Sequence, residues 1–170
     1  MKREIIALDS LNWFSGTGVL YSFSEIIDEI KYQQKQDIEI HVGTDSDPHG
    51  KAYAFVTGIA IRWPARGGRY WWCRSRINSK TFGSLIERLQ LEVFHSIEIA
   101  SILRQVFPQQ SVLVHVDCSP DPHTASGKFA KELQSYALGM GFPVLIKPLS
   151  WAASAVADKH AKKSFTLQEY

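Results

Sequence analysis

Four acidic side chains stand at positions from which they could act together: Asp45, Glu92, Asp117 and Asp158. Asp45 and Asp117 each follow an apolar run that is typical of a β-strand. In α/β sheets ligands bind beyond the carboxyl ends of the strands, so the two carboxylates converge if their strands are parallel neighbours. The alternative is that each aspartate only caps a turn.

The other two acids lie in predicted helices. Ser84 begins a long helix whose apolar stripe is bordered by Glu92, which therefore points toward the margin of the sheet. Glu87 lies nearly opposite the stripe and has capping-box spacing from Ser84, although either glutamate could be the functional one. Asp158 interrupts an alanine-rich helix, where aspartate is a poor helix former. Simple solvation beside Lys162 is the competing interpretation of Asp158.

The chemistry of the four acids indicates a metal site. Clustered carboxylates raise one another's pKa unless a cation neutralises them. Oxygen ligands without supporting cysteines favour Mg²⁺ or Mn²⁺ over Zn²⁺. Two such ions about 4 Å apart would stabilise the attacking and leaving oxygens of a phosphodiester during in-line displacement. We therefore predict that the same four acids are both metal ligands and catalytic residues.

A segment rich in basic and aromatic residues covers positions 62–80. Basic side chains neutralise phosphates and aromatic rings stack on bases, so this segment is a candidate surface for nucleic acid. The alternative is an amphipathic pair of strands with solvated arginines and core tryptophans. The cluster also includes Arg66, and the positions predicted to contact nucleic acid are Arg69, Trp72, Arg74 and Arg76.

The elements that must position these residues form an α/β pattern. We expect residues 1–20 to be an irregular arm, residues 22–35 a helix, and the segment from residue 38 to residue 77 a three-stranded meander. After the meander, helices and strands alternate to about residue 163. This order predicts a mixed five-stranded sheet with helices on both faces and the first meander strand beside the fourth strand. The chain is expected to be one domain, with residues 1–37 as an N-terminal arm and helix.

Composition limits the class of protein. The chain has 170 residues and a net charge of +2, which fits one globular domain without a polybasic tail. Its two cysteines cannot make a disulfide scaffold, so we expect a reduced, cytoplasmic protein. No apolar run is long enough to cross a bilayer, and no secretion signal is visible. Phosphate-loop, dinucleotide-binding and zinc-protease motifs are also absent from the sequence.

Several stretches of the chain match a known family. They are Val42-Gly-Thr-Asp-Ser, Phe55-Val-Thr-Gly-Ile, Ser84-Leu through Glu87 and Glu92, His115-Val-Asp, Met140-Gly-Phe-Pro with Ile146-Lys-Pro, and Trp151-Ala-Ala-Ser-Ala-Val-Ala-Asp. Together with the order of the acids, they resemble the ribonuclease H-like superfamily over about residues 38–163. Within it, the chain is more specifically similar to the YkuK-like family of predicted ribonuclease H-related nucleases.

This resemblance implies a ribonuclease H-like fold in which the four acids bind two metal ions. It also implies a nuclease that hydrolyses phosphodiester bonds. The resemblance does not supply the substrate, and we predict that RNA or an RNA/DNA hybrid is favoured. Classical ribonuclease H has a catalytic-loop histidine before its last helix. The present chain departs from it, because residues 147–151 contain no histidine, so His160 or His123 would have to substitute. The alternatives are a nucleic-acid-binding module without catalysis, or a protein-interaction scaffold. The sequence does not indicate an oligomeric state.

Overall fold

The computed structural model describes residues 7–33, 37–63 and 67–162. The strands are β1 (Trp13–Ser15), β2 (Leu20–Tyr21), β3 (Glu39–His49), β4 (Ala52–Trp63), β5 (Gly67–Asn78), β6 (Ser111–Val116) and β7 (Val144–Ile146). The α-helices are α1 (Phe23–Gln33), α2 (Leu85–Val106), α3 (Ala130–Gly139) and α4 (Asp158–Ala161). A π-helical segment, Ala152–Ala157, runs directly into α4. No helix within the described residues is long and apolar enough to cross a membrane.

The strands form one mixed sheet in the order β2-β1-β5-β4-β3-β6-β7. Strands β3, β4 and β5 are the predicted antiparallel meander, and β6 pairs with β3 in parallel. The α/β class and the adjacency of the first and fourth predicted strands are therefore confirmed. The predicted number of five strands is wrong, because the sheet has seven strands within the described residues.

The two additional strands come from the segment that was expected to be an irregular arm. Strand β1 pairs antiparallel with β5, and β2 pairs with β1. Trp13 lies opposite Cys73 in this pairing and its side chain is fully buried. Burial of this large aromatic side chain stabilises the pairing of the arm with the sheet. A strand of three residues is too short to show a hydrophobic period, so the sequence pattern did not predict it.

The two faces of the sheet are covered by different helices. Helix α2 packs on one face, where the Ser96 hydroxyl donates to Thr44 Oγ1 at 2.9 Å. The π-helical segment packs on the other face and approaches the backbone of β3 closely. A Cβ added to Gly43 would lie 2.6 Å from the backbone nitrogen of Ala153, and one added to Gly58 would lie 2.9 Å from Val156. Glycine at these two paired positions therefore allows the last helix to sit directly on the sheet.

Local sequence signals explain the bounds of the long helix. The Ser84 side chain accepts a hydrogen bond from the backbone N–H of Glu87, as a helix N-cap does. The helix ends at Val106, two residues before Pro108, which cannot continue it. The buried side chains of the helix, which include Leu89, Val93 and Leu103, pack in the main hydrophobic core. This packing fixes the position of the helix relative to the sheet.

Candidate active site

Two neighbouring parallel strands, β3 and β6, bring the first two acids to the same end of the sheet. The parallel register of β3 and β6 runs as far as the pair Gly43 and His115. Asp45 and Asp117 each lie two residues beyond that pair, so they emerge at the same level. Burial is the largest cause that raises the pKa of Asp45, and the negative charge of Asp117 is the next, as expected for carboxylates on neighbouring strands.

Helix α2 supplies the third acid through its buried face. Glu92 is only 4% exposed, and its Oε1 accepts hydrogen bonds from Ser46 Oγ at 2.6 Å and from Arg88 Nη1 at 3.2 Å. Burial, followed by the charge of Asp45, raises the pKa of Glu92 to about 8. Glu87 instead lies at the helix N-terminus, where its carboxylate accepts from the backbone N–H of Gly83 at 3.0 Å. The structure thus places Glu92, rather than Glu87, against the sheet and the other acids.

The last helix supplies the fourth acid from the opposite face of the sheet. Asp158 is the first residue of α4 and its side chain is hydrogen-bonded to that of Asp45. Burial first, then the charges of Asp117 and Asp158, raise the pKa of Asp45 to about 7. Asp158 also pairs with Lys162 at 2.8 Å, so the i,i+4 pair expected from its alternative interpretation forms as well.

Basic side chains of the chain itself neutralise three of these acids. Arg88 pairs with Glu92, Lys162 with Asp158, and Lys147 Nζ lies 3.1 Å from Asp117 Oδ1. Sequence reasoning missed the role of Lys147. The available signal was its position directly after β7, the parallel neighbour of β6, which places it beside Asp117. Ser46 was also missed, although strand alternation turns it away from Asp45 and toward α2.

The described residues contain no group of three or more histidine, cysteine, aspartate or glutamate side chains placed so as to hold a metal ion together. The acids nevertheless act on one another's protonation: after burial, which is the largest cause, the charges of neighbouring acids add to raising the pKa of Asp45 and of Glu92. An all-oxygen set of this kind suits Mg²⁺ or Mn²⁺, and a divalent cation would remove the repulsion that opposes ionisation.

The raised pKa values predict an unusual dependence of stability on pH when a chelator is present. Asp45 and Glu92 bind protons more tightly in the folded than in the unfolded chain, so their contribution to stability is full below about pH 4 and is lost as the pH rises to about 8. Thermal melting of Asp45→Asn beside the wild type should show a stability difference that moves in favour of the variant across this range. A difference that stays constant with pH would contradict the shifted pKa of Asp45.

The predicted nucleic-acid residues of β5 mostly make internal contacts. Arg69 donates to Glu29 at 2.6 Å and to the Tyr21 hydroxyl at 2.8 Å. Trp72 is 5% exposed, and Arg74 donates to the carbonyl oxygen of His160. Through these contacts the three side chains join β5 to α1, β2 and α4. Arg76 is exposed, and Arg66 lies outside the described residues.

The two histidines considered as substitutes for a catalytic-loop histidine differ in their surroundings. His160 is 3% exposed and stacks on Trp72 with ring centroids 4.2 Å apart. Its Nε2 also lies 3.3 Å from the hydroxyl of Tyr70, so it joins α4 to the sheet. His123 is exposed in the loop after β6, where its backbone N–H donates to Asp121.

Comparison with known proteins gives one match. A family model described as Ribonuclease H-like matches residues 22–162, which span α1 to α4 and include all four acids. No curated protein and no solved structure matches the chain. The match over most of the chain, together with the mixed sheet and the acids at its edge, shows that this protein belongs to the ribonuclease H-like family.

Proposed function

We propose that this protein is a divalent-metal-dependent nuclease that hydrolyses phosphodiester bonds, with RNA or an RNA/DNA hybrid as the favoured substrate. The observation that supports the proposal best is that acids from four different elements act on one another's protonation: Asp117 and Asp158 on Asp45, and Asp45 and Asp117 on Glu92. Their mutual repulsion costs stability, and perturbed acids that are grouped in this way are typical of functional sites. Membership of the ribonuclease H-like family supports a function connected with nucleic acid.

The residues that would hold Mg²⁺ or Mn²⁺ are Asp45, Glu92, Asp117 and Asp158. Asp117 and Asp158 would have to exchange Lys147 and Lys162 for the ion, which rotation of the side chains allows because both lysines are exposed. When bound, such ions supply an activated water and stabilise the leaving oxygen of a phosphodiester.

The basic residues around the acids have a place in this function. Arg88 donates both to Ser46 and to Glu92, which fixes the orientation of the Glu92 carboxylate. Lys147 and Lys162, once released from their carboxylates, would be available to neutralise the phosphates of a bound strand. The site would therefore hold an anionic substrate although its centre is made of acids.

A nucleic-acid-binding module without catalysis is the second candidate function. It is favoured by the pairing of three of the acids with basic side chains and by the lack of a preformed ligand group among the described residues. In that case the carboxylates and their partners would be structural ion pairs, and divalent cations would not be required.

A cleavage assay with a matched pair of variants separates the two candidates. Labelled RNA, DNA and hybrid are incubated with the wild type in Mg²⁺, in Mn²⁺ and in chelator, and with Glu92→Gln and Glu87→Gln. We expect metal-dependent cleavage that Glu92→Gln reduces by on the order of 10²-fold or more, since a lost metal ligand removes several kcal/mol of transition-state stabilisation. Glu87→Gln should cleave nearly as the wild type does.

The contrary results are equally specific. Loss of activity in Glu87→Gln with a normal Glu92→Gln would contradict the assignment of the helix ligand. No cleavage of any substrate in either metal, from protein that binds those substrates, would favour the binding module.

A further inference from the structure

An open groove of about 510 Å³ lies on the sheet away from the acids. Its lining includes Ala60, Arg62, Gly68, Tyr70 and Trp151. It lies on the face that the last helix covers, beside the end of the β4–β5 hairpin.

The groove is on the same face of the sheet as Asp45. Ala60 pairs with His41 of β3, and His41 stands four residues before Asp45, an even spacing that keeps both side chains on one face. Four residues of strand separate the two positions by about 13 Å, at about 3.3 Å a residue. The π-helical segment, which packs on Gly43 and Gly58, lies between the two positions.

Small residues keep the floor of the groove low. Ala60 is 2% exposed and contributes only a methyl group. A Cβ on Gly68 would lie 2.7 Å from the carbonyl oxygen of Ile61, so the backbone admits no side chain there.

The aromatic residues that line the groove are held by their neighbours. The ring of Trp151 lies 4.7 Å from that of His41 and 5.3 Å from that of His115, measured between centroids. The Tyr70 hydroxyl lies 3.3 Å from Nε2 of His160, and its ring packs so closely on Gly16 that a Cβ there would lie 2.7 Å from it. Both rings remain partly exposed, so their positions are fixed while part of their surface is open to a ligand.

Positive charge accompanies the aromatic rings. Arg62 is exposed, and strand alternation places it on the same face as Ala60. Aromatic surface together with an arginine is the combination that recognises a nucleobase and its phosphate, because bases stack on rings and the guanidinium neutralises the backbone.

We propose that this groove binds a base of single-stranded nucleic acid, stacked on Trp151 and Tyr70, with Arg62 on a neighbouring phosphate. A paired base has no free face to insert, so the groove selects an unpaired segment of substrate. The inference rests on the proposed function and deepens it, because it names an unpaired segment as the form of substrate that this protein binds.

The test measures binding without cleavage. A fluorescently labelled single-stranded oligouridylate and an RNA duplex are titrated with the full chain in chelator at several salt concentrations. The wild type should bind the single strand more tightly than the duplex. Trp151→Ala should weaken that binding by about 10-fold, which lies within the range measured for loss of one stacked base, while Trp151→Phe should retain most of it.

A charge variant and a remote control complete the design. Arg62→Ala should lower the slope of log affinity against log salt by about one unit, because one phosphate contact is lost. Lys131→Ala removes an exposed charge from α3, which packs against α2 on the other side of the sheet, and should leave affinity and slope unchanged.

Several outcomes would contradict the proposal that the groove binds single-stranded nucleic acid. They are duplex binding as tight as single-strand binding, unchanged affinity in a folded Trp151→Ala, or an unchanged slope in Arg62→Ala. If Trp151→Ala does not fold, Arg62→Ala decides the matter. A smaller oligomer for Trp151→Ala in sedimentation would assign the groove to a second copy of the chain and also overturn it. Cleavage in Mg²⁺ or Mn²⁺ is measured separately, so either conclusion can fail without the other.

Discussion

Asp45→Asn is expected to lose nearly all metal-dependent cleavage while remaining folded. Asp45 lies among the other acids, with a hydrogen bond to Asp158 and with its charge acting on Glu92. An amide is a neutral and weaker ligand than a carboxylate. A metal held by the four acids would therefore lose one negative charge from its ligands, and its coordination geometry would change. The expected loss is on the order of 10³-fold, which corresponds to about 4 kcal/mol of transition-state stabilisation.

The stability of the same variant distinguishes catalysis from folding. Replacing a carboxylate that burial and like charges disfavour should leave the metal-free protein as stable as the wild type or more stable near pH 8, where that carboxylate is ionised. Initial rates and thermal melts of one preparation measure the two effects together. A variant that cleaves at the wild-type rate would exclude Asp45 from the reaction, and one that has simply unfolded would contradict the raised pKa.

Mg²⁺ or Mn²⁺ is expected to raise the melting temperature of the wild type. Metal binding to the folded state alone stabilises by mass action, by about 2.7 kcal/mol at a concentration 100 times the dissociation constant. For a chain of this size that corresponds to a shift of about 5–10 °C. Asp117→Asn should remove most of the shift, because it takes away a carboxylate at the centre of the site.

Controls separate a specific site from general screening of charge. Raising monovalent salt to the same ionic strength should produce a much smaller change, since weakly exposed groups are little screened. Asp28→Asn offers a matched variant, because Asp28 is exposed in α1 and pairs only with Lys31 in the described contacts. A shift that survives in Asp117→Asn would show that Asp117 is not a ligand, and no shift in the wild type would favour structural ion pairs.

Hydrogen bonds orient the one of the four acids that is most deeply buried, Glu92. Ser46 and Arg88 both donate to Glu92, which leaves its carboxylate oriented although burial favours its neutral form. Such partial compensation is what a site needs if it is to take up a cation without collapsing beforehand.

Local patterns in the sequence determined much of the architecture. The alternation of Ile40 and Val42 with polar neighbours identified β3, and the cap at Ser84 identified the start of α2. The helical stripe also placed Glu92 on the buried face and Glu87 outside it, because both depend only on the period of the helix. These features are set by residues close together in the chain, so one sequence is sufficient to read them.

Contacts between distant residues were decided by the tertiary structure alone. Trp13 makes the arm an edge of the sheet, and the burial of Trp72 beneath His160 removes it from any surface. Lys147 reaches Asp117 only because β7 lies parallel to β6. Composition identified basic and aromatic residues as candidates for nucleic acid, but a strand pattern cannot tell which face a later helix will cover. Which face is covered depends on packing over the whole sheet. Trp72 is buried as a result, whereas Trp151 lines an open groove.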